Sequence, residues 1–173
     1  MSEKISEVIK KRIEDAGARY WANDNISEFI EENEKQQLIE ELSEKFEGVL
    51  DSLVIDRFSD SNSLDTPRRL ATMYINELMS GRFDNRPDAT SFPNHDVDTR
   101  YGGMIVVRAE IASMCSHHHQ PVKGIAYIGI LPSSKLIGLS KYIRLAQWVA
   151  RRGTLQEELT TAIANEISAA TGA

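Results

Sequence analysis

Two strand-like runs separated by a short polar segment constrain the fold of this chain more than any other feature. The runs MIVVRAEIASM and GIAYIGILP are rich in β-branched residues and partly alternate apolar with polar positions, which predicts strands over 104–114 and 124–132. The intervening CSHHHQPVK is predicted to be a turn or bulge loaded with polar ligand types. We therefore expect an antiparallel strand pair at the centre of the fold.

Helical patterns precede this strand pair. Apolar residues at helical spacing predict an amphipathic helix over 3–16 and a second helix with its apolar face at Leu38, Leu42, Phe46, Val49 and Leu50, with Ser27 as a candidate cap between them. A third helix has clear boundary signals, since Asp65 or Thr66 can cap it, Pro67 suits its first turn and Gly81 suits its end. Residues 82–103, rich in Asp, Asn and Pro, are predicted to be a long loop.

Two more helices are predicted after the strands. One begins at Leu139 and is interrupted near Gly153, and the last has its apolar positions at Leu155, Leu159, Ile163 and Ile167. The order is helices, a strand pair and two helices, so the predicted fold class is α+β.

Composition excludes several classes of protein. One cysteine in 173 residues rules out an internal disulfide framework, and no apolar run approaches the ~20 residues of a membrane span. The N-terminus mixes charged with apolar residues and has no secretory signal, so we expect a cytoplasmic protein without membrane contact. The net charge of −6 argues against a nucleic-acid partner.

The segment Cys115-Ser116-His117-His118-His119 is the strongest local signal for chemistry. A thiolate and neutral imidazoles are ligands that zinc prefers, and a Cys and a His three residues apart can meet one ion from a turn. A histidine tract on the surface is the alternative interpretation, and a nucleophilic cysteine beside a histidine is a further one.

A second candidate site is for an anion. Acidic residues are absent between Lys123 and Arg152, although six cations remain there. Ser140 and Lys141 fall near the start of a predicted helix, where free N–H groups attract anions, and Arg144 is one turn further on. The alternative is an ordinary solvated helical face.

The third candidate is the pair Gln156-Glu157. A carboxylate beside an amide can accept and donate hydrogen bonds along the edge of guanine. On a helix rich in acids, the simpler interpretation is that both side chains face water.

Together these residues resemble those of the GTP cyclohydrolase I family, zinc enzymes of the tunnelling fold (T-fold). The similar stretches are SLDTPRRLATMYINELMSG, CSHHHQPVKGIAYIGILP and LIGLSKYIRLAQWVARRGTLQEELTTAI, in the order of the family. The resemblance implies an N-terminal helical segment over 1–60 and a T-fold domain over 61–173, with an antiparallel sheet and β-β-α-α order.

The resemblance also implies roles for individual residues. Cys115 and His118 correspond to two of the three zinc ligands of the family, and His117 to a histidine beside the reacting purine. Arg69, Ser140, Lys141 and Arg144 correspond to triphosphate-binding positions. Gln156 and Glu157 correspond to the pair that recognises guanine.

The implied activity is hydrolysis of GTP at C8. Zinc lowers the pKa of its bound water toward about 7, and the resulting hydroxide adds to C8 so that formate leaves and 7,8-dihydroneopterin triphosphate forms. The resemblance further implies a homo-oligomer, with a decamer as one candidate, whose active sites lie between subunits.

Several positions depart from the family pattern. Ser116 replaces a usual Glu, His119 a usual apolar residue, Thr72 a lysine, and Glu158 a basic residue. The family continues after its last helix into two strands that carry the third zinc ligand, whereas this sequence ends at Ala173. We therefore expect the last two strands and the third ligand to be missing from this chain. A non-catalytic GTP-binding or assembly module derived from the same fold is the alternative function.

Overall fold

A computed structural model describes residues 4–94 and 101–172. The chain divides into two compact units, Met1–Asp84 and Asn85–Ala173. The predicted domain boundary lies elsewhere, between residues 60 and 61, because the family-like motifs begin there. That boundary stays a prediction.

The first unit is built of helices. They are α1 (Ile5–Asp15), a 3-10 turn (Ser27–Phe29), α2 (Glu34–Ser52), α3 (Thr66–Met73), a π-helical turn (Tyr74–Leu78) and α4 (Ser80–Phe83). One buried cluster joins Ile9, Ile13 and Ile26, and a second joins Ile39, Ala71 and Ile75. These clusters bury the apolar faces that the helical spacing predicts.

The boundary signals of these helices differ in detail from the prediction. Ser27 begins the 3-10 turn, and the residue before α2 is Asn33, whose φ of 69° is left-handed. Asp65 makes no side-chain cap bond to α3, although Pro67 does stand in the first turn. Gly81 lies inside α4, because the chain makes one more helical turn after the π-helical segment.

A partly buried ion pair joins α1 to α2. Arg12 Nη1 donates to Glu34 Oε2 at 2.6 Å, and Arg12 Nη2 donates to Glu34 Oε1 at 2.8 Å. The Glu34 carboxylate also accepts the backbone N–H of Glu31 at 2.7 Å. Glu34 is only 6% exposed, so these donors replace the water that its charge has lost.

The C-terminus of α2 ends in a Schellman motif with a valine at its left-handed position. Val54 N–H donates to the Asp51 carbonyl at 3.0 Å, and Ile55 N–H donates to the Leu50 carbonyl at 3.1 Å. Val54 has a φ of 60° and is 91% exposed. Glycine is the usual residue there, because a β-branched side chain is strained in this conformation.

The second unit contains five strands and two helices. They are β1 (Ser91–Pro93), β2 (Ile105–Cys115), β3 (Pro121–Ile130), β4 (Lys135–Ile137), α5 (Leu139–Ala150), β5 (Gly153–Thr154) and α6 (Gln156–Thr171). β2 and β3 pair antiparallel from Ile105↔Ile130 to Met114↔Pro121, which confirms the predicted strand pair. β5 adds to the other edge of β2 in parallel, so this sheet has the order β3-β2-β5.

The strands β1, β4 and β5 lie outside the sequence predictions. β1 pairs antiparallel with β4, so the predicted loop over 82–103 contains a short strand. The loop residues 95–100 lie outside the described part of the chain. The break predicted near Gly153 is occupied by β5.

Helix α5 covers one face of this sheet. Alternate residues of β2, Val107, Ala109 and Ile111, are buried in one cluster with Tyr142 and Leu145 of α5. Ile163 and Ile167 of α6 complete the same cluster. The two helices therefore form one layer on an antiparallel strand pair, which is the predicted α+β arrangement in β-β-α-α order.

None of the helices in residues 4–94 and 101–172 is long and apolar enough to cross a membrane.

Candidate functional site

The Cys-His segment forms a tight turn at the end of β2. His119 N–H donates to the Cys115 carbonyl at 2.9 Å, and Cys115 N–H donates to the Gln120 carbonyl at 3.0 Å. His119 closes the turn with a left-handed φ of 52°. The turn leaves Cys115 half-buried and exposes the side chains of His117 and His118.

The two central histidines present their rings close together. The ring centroids of His117 and His118 are 6.2 Å apart, with an interplanar angle of 77°. Both rings face solvent, so a metal or a ligand can reach their nitrogens without rearrangement of the core.

The short strand β5 fixes the start of α6 beside this turn. Cys115 is the register partner of Thr154, and Ser116 N–H donates to the Thr154 carbonyl at 3.3 Å. Gln156 begins α6 only two residues after Thr154. The pairing therefore brings Gln156 next to Cys115, although the two are far apart in sequence.

Cys115 and Gln156 line one cavity of about 680 Å³. Ser113 and Thr154 line its polar part, while Ile111, Ile128, Leu159 and Ile163 are among its apolar residues. A volume of this size is typical of binding sites for small organic ligands. The lining of such sites is mostly apolar with a few polar groups. Ser113 and Thr154 are absent from the sequence predictions, because a single Ser or Thr in a strand carries no spacing signal.

The candidate anion site lies at the start of α5. Gly138 precedes the helix, and its carbonyl accepts the Lys141 N–H at 2.8 Å. Ser140 and Arg144 are exposed, and Lys141 is half-exposed. Lys141 and Arg144 have no carboxylate partner among the described residues. Two unpaired cations at a helix N-terminus can bind a phosphate group.

Glu157 and Gln156 share the first turn of α6, and both are exposed. Gln156 lines the cavity, whereas Glu157 is not among its lining residues. Negative charge in the first turn is favourable beside the positive end of the helix dipole. This structural role is compatible with recognition of a base that carries hydrogen-bond donors.

Arg69 belongs to the first unit. It lies in α3 with its side chain 68% exposed, and its Nη2 is 3.4 Å from Asp65 Oδ2. Its predicted role in phosphate binding stays a prediction.

The described residues do not complete a zinc site. Cys115 and His118 have suitable donor atoms, but no group of three His, Cys, Asp or Glu side chains in residues 4–94 and 101–172 is placed to hold a metal ion. Structural and catalytic zinc sites take at least three protein ligands. The Cys115 turn is therefore at most a partial metal site by itself.

Fold and site together define the class of this protein. An antiparallel strand pair covered by two consecutive helices, with the Cys-His turn at the end of its first strand, is a T-fold unit. The chain belongs to the GTP cyclohydrolase I family, whose model matches residues 29–173.

Several curated relatives support this membership. The chain is 36% identical over 132 residues to GTP cyclohydrolase 1 of Aeromonas salmonicida (strain A449), which covers 74% of this chain and 58% of that protein. It is 33% identical over 139 residues to GTP cyclohydrolase 1 of Flavobacterium johnsoniae, covering 79% of this chain and 60% of that one. The protein of the same name from Buchnera aphidicola is 38% identical over 138 residues, which covers 78% of this chain and 59% of that protein. The chain thus spans about three fifths of the length of these relatives.

Proposed function

We propose that this chain acts in the hydrolysis of GTP at C8, with release of formate to give 7,8-dihydroneopterin triphosphate. Family membership and the names of the relatives support a hydrolase of this kind. The observation that carries the proposal is the pairing of Cys115 with Thr154, because Cys115 and Gln156 then line one cavity.

Each predicted site residue has a place in this proposal. Gln156 and Glu157 hold the donor edge of guanine, since an amide and a carboxylate together supply the acceptors that it needs. Ser140, Lys141 and Arg144 hold the triphosphate, and phosphate binding is also the role proposed for Arg69. Fixing the base and the phosphates in this way orients C8 for attack. Such positioning supplies a large part of the rate enhancement of an enzyme.

The Cys-His turn is the proposed place of the reaction at C8. His117, an exposed residue of this turn, is the proposed hydrogen-bonding residue beside the reacting purine. Zn²⁺ is the expected cofactor, and it supplies a bound hydroxide at neutral pH when a complete site holds it. Cys115 and His118 are two of its proposed ligands, and the third comes from outside the described residues. The proposed assembly is a homo-oligomer with active sites between its subunits.

A second function has one observation in its favour. Because the described residues supply no three-ligand metal group, the chain by itself can be a GTP-binding or assembly module without turnover. This alternative retains the guanine and phosphate contacts and lacks the reaction at C8.

The test is to incubate the chain with GTP and zinc and to measure formate, neopterin fluorescence after oxidation, and GTP affinity by calorimetry. We expect formate from the wild type and none from Cys115→Ala. We also expect Lys141→Ala to raise the Kd for GTP about ten-fold and to leave that for guanosine unchanged, because a charged contact to phosphate is worth about 1.4 kcal/mol.

Lys135→Ala is the matched control, since Lys135 is an exposed lysine of the same unit that has no place in the proposed site. It should change the Kd for GTP by less than about two-fold. GTP binding without formate would favour the second function, and absence of GTP binding would contradict both.

A further inference from the structure

We propose that the stack of Arg152 on Trp148 positions Gln156, the residue assigned to guanine, beside Cys115. Arg152 is a positioning residue in this proposal, because it acts on Gln156 through the short strand β5 rather than by contact with the ligand. The inference rests on the proposed function, since it concerns how the base-recognition site of that function is held in place.

Trp148 is a fixed platform on α5. Its side chain packs against the buried cluster that α5 and α6 form on the sheet. The guanidinium carbon of Arg152 lies 4.0 Å from the centroid of the Trp148 ring. A cation this close is attracted by the negative face of the ring, and tryptophan gives the strongest contact of this kind. The stack therefore ties the connection after α5 to the core of its unit.

The connection that contains Arg152 is short. α5 ends at Ala150 and β5 begins at Gly153, so only Arg151 and Arg152 lie between them. Arg151 is exposed and makes no ion pair or ring contact among the described residues, whereas Arg152 is half-buried. Because Arg152 directly precedes β5, a displacement of its backbone is passed to the strand.

β5 has few bonds of its own to resist such a displacement. The strand is two residues long and pairs with β2 at Met114 and Cys115. Next to this pairing, Ser116 N–H donates to the Thr154 carbonyl at 3.3 Å, which is longer than the usual 2.9–3.0 Å. Segments with few hydrogen bonds open locally at a small free-energy cost. A contact outside the strand can therefore determine how often β5 is paired.

The pairing of β5 decides where Gln156 lies. Gln156 begins α6 two residues after Thr154, and both residues line the cavity together with Cys115. Hydrogen bonds weaken steeply when their distance or angle changes. Loss of the Arg152 stack should therefore weaken recognition of the base, while the proposed phosphate contacts at the start of α5 are unaffected.

Direct binding of a phosphate is the other role that a cation at this position could have. The distance along α5 favours the positioning role. Arg152 follows the end of α5, whereas Ser140 and Lys141 lie at its start, and the twelve residues of the helix span about 18 Å. Guanosine, which has no phosphate, separates the two roles by experiment.

The first measurement is the Kd of the full chain for GTP and for guanosine by calorimetry. Arg152→Gln should raise both values about five-fold, as expected for the loss of one partly exposed cation–π contact, and should leave their ratio unchanged. Arg151→Gln is the matched control, because it removes the same charge from the neighbouring residue. It should change either Kd by less than about two-fold.

The second measurement is amide hydrogen exchange at Ser116 without ligand, which reports the pairing of β5 directly. Exchange should be about five-fold faster in Arg152→Gln and in Trp148→Leu. Trp148→Phe keeps an aromatic face for Arg152 and should restore most of the protection. Circular dichroism checks that each variant is folded, and a general loss of stability in a folded variant would not raise the Kd for guanosine.

Three results would overturn the proposal. They are an unchanged Kd for guanosine beside a raised Kd for GTP, which would assign Arg152 to phosphate, unchanged exchange at Ser116, and equal effects of Arg151→Gln and Arg152→Gln. If the wild type binds neither GTP nor guanosine, the proposed function fails. Exchange at Ser116 is measured without ligand, so it still decides whether the stack holds β5 in place.

Discussion

At the residue scale, the Arg12–Glu34 pair and the cations Lys141 and Arg144 are used differently. In the first unit, Arg12 and Glu34 pair with each other across two helices. In the second unit, Lys141 and Arg144 have no carboxylate partner among the described residues. Paired charges stabilise helix contacts, whereas unpaired cations on one helical face are available for a ligand.

The first prediction at this scale concerns pH. The hydrogen bond from Arg12 is the main cause that lowers the pKa of Glu34 below its ordinary value of 4.5. The unfolded carboxyl has the higher pKa, so the pair stabilises the fold fully above about pH 4.5 and loses this effect as the pH falls below that value. Glu34→Gln should therefore lower the free energy of unfolding at pH 7, and most of this difference should disappear at pH 3.

Urea unfolding of both proteins at the two pH values measures this effect. Glu40→Gln is a suitable control, because Glu40 is an exposed acid on the same helix with no ion pair among the described residues. A loss for Glu34→Gln that is as large at pH 3 as at pH 7 would contradict the assignment to the charged pair.

At the element scale, the left-handed Val54 is a correctable defect in α2. A residue other than glycine in this conformation costs about 1–2 kcal/mol, and glycine adds about 0.5–1 kcal/mol of entropy to the unfolded chain. Val54 is 91% exposed, so its side chain loses little packing when it is removed. Val54→Gly should raise the free energy of unfolding of the first unit by about 0.5–1 kcal/mol.

Chemical denaturation followed by circular dichroism checks this prediction. The matched control is Val49→Gly, which places glycine inside α2, where it should destabilise by about 1 kcal/mol. If Val54→Gly and Val49→Gly lower the free energy of unfolding by the same amount, the strain at Val54 is absent.

The elements with a clear period could be predicted from the sequence. The helices α1, α2, α5 and α6 and the pair β2–β3 follow the spacing of their apolar residues. The three-residue strands β1 and β4 and the two-residue β5 are too short to show a period. Their pairing depends on where the rest of the chain places them, and a local sequence pattern carries no information about that placement.

The site could be predicted in its parts and not in its arrangement. Sequence spacing identifies Cys115, Lys141 and Gln156 as separate candidates. Only the pairing of β5 with β2 shows that Cys115 and Gln156 share a cavity.

At the scale of the whole molecule, each compact unit has its own buried clusters. Ile13 and Ile26 belong to the first, and Leu145 and Ile163 belong to the second. Each unit also contains one tryptophan, Trp21 in the first and Trp148 in the second. Separate cores favour separate unfolding transitions, and the two tryptophans can report them individually.

The prediction is that a core truncation affects mainly its own unit. Ile13→Ala should destabilise the first unit by about 2–4 kcal/mol, because Ile13 is 2% exposed. In a Trp148→Phe background, the midpoint of urea unfolding followed by Trp21 fluorescence should fall accordingly. In a Trp21→Phe background, the midpoint followed by Trp148 fluorescence should change little. Leu145→Ala should give the reverse pattern, while equal shifts of both midpoints would show a single cooperative transition.

The strand β5 also sets a requirement on chain length. Thr154 is held against Cys115, and α6 begins two residues later at Gln156. Each residue inserted or deleted between them would rotate the first turn of α6 by about 100° and carry Gln156 away from the cavity, while the helix itself stayed intact. The number of residues in this connection is therefore fixed, and a gap in an aligned sequence at this point indicates a chain that has lost this arrangement.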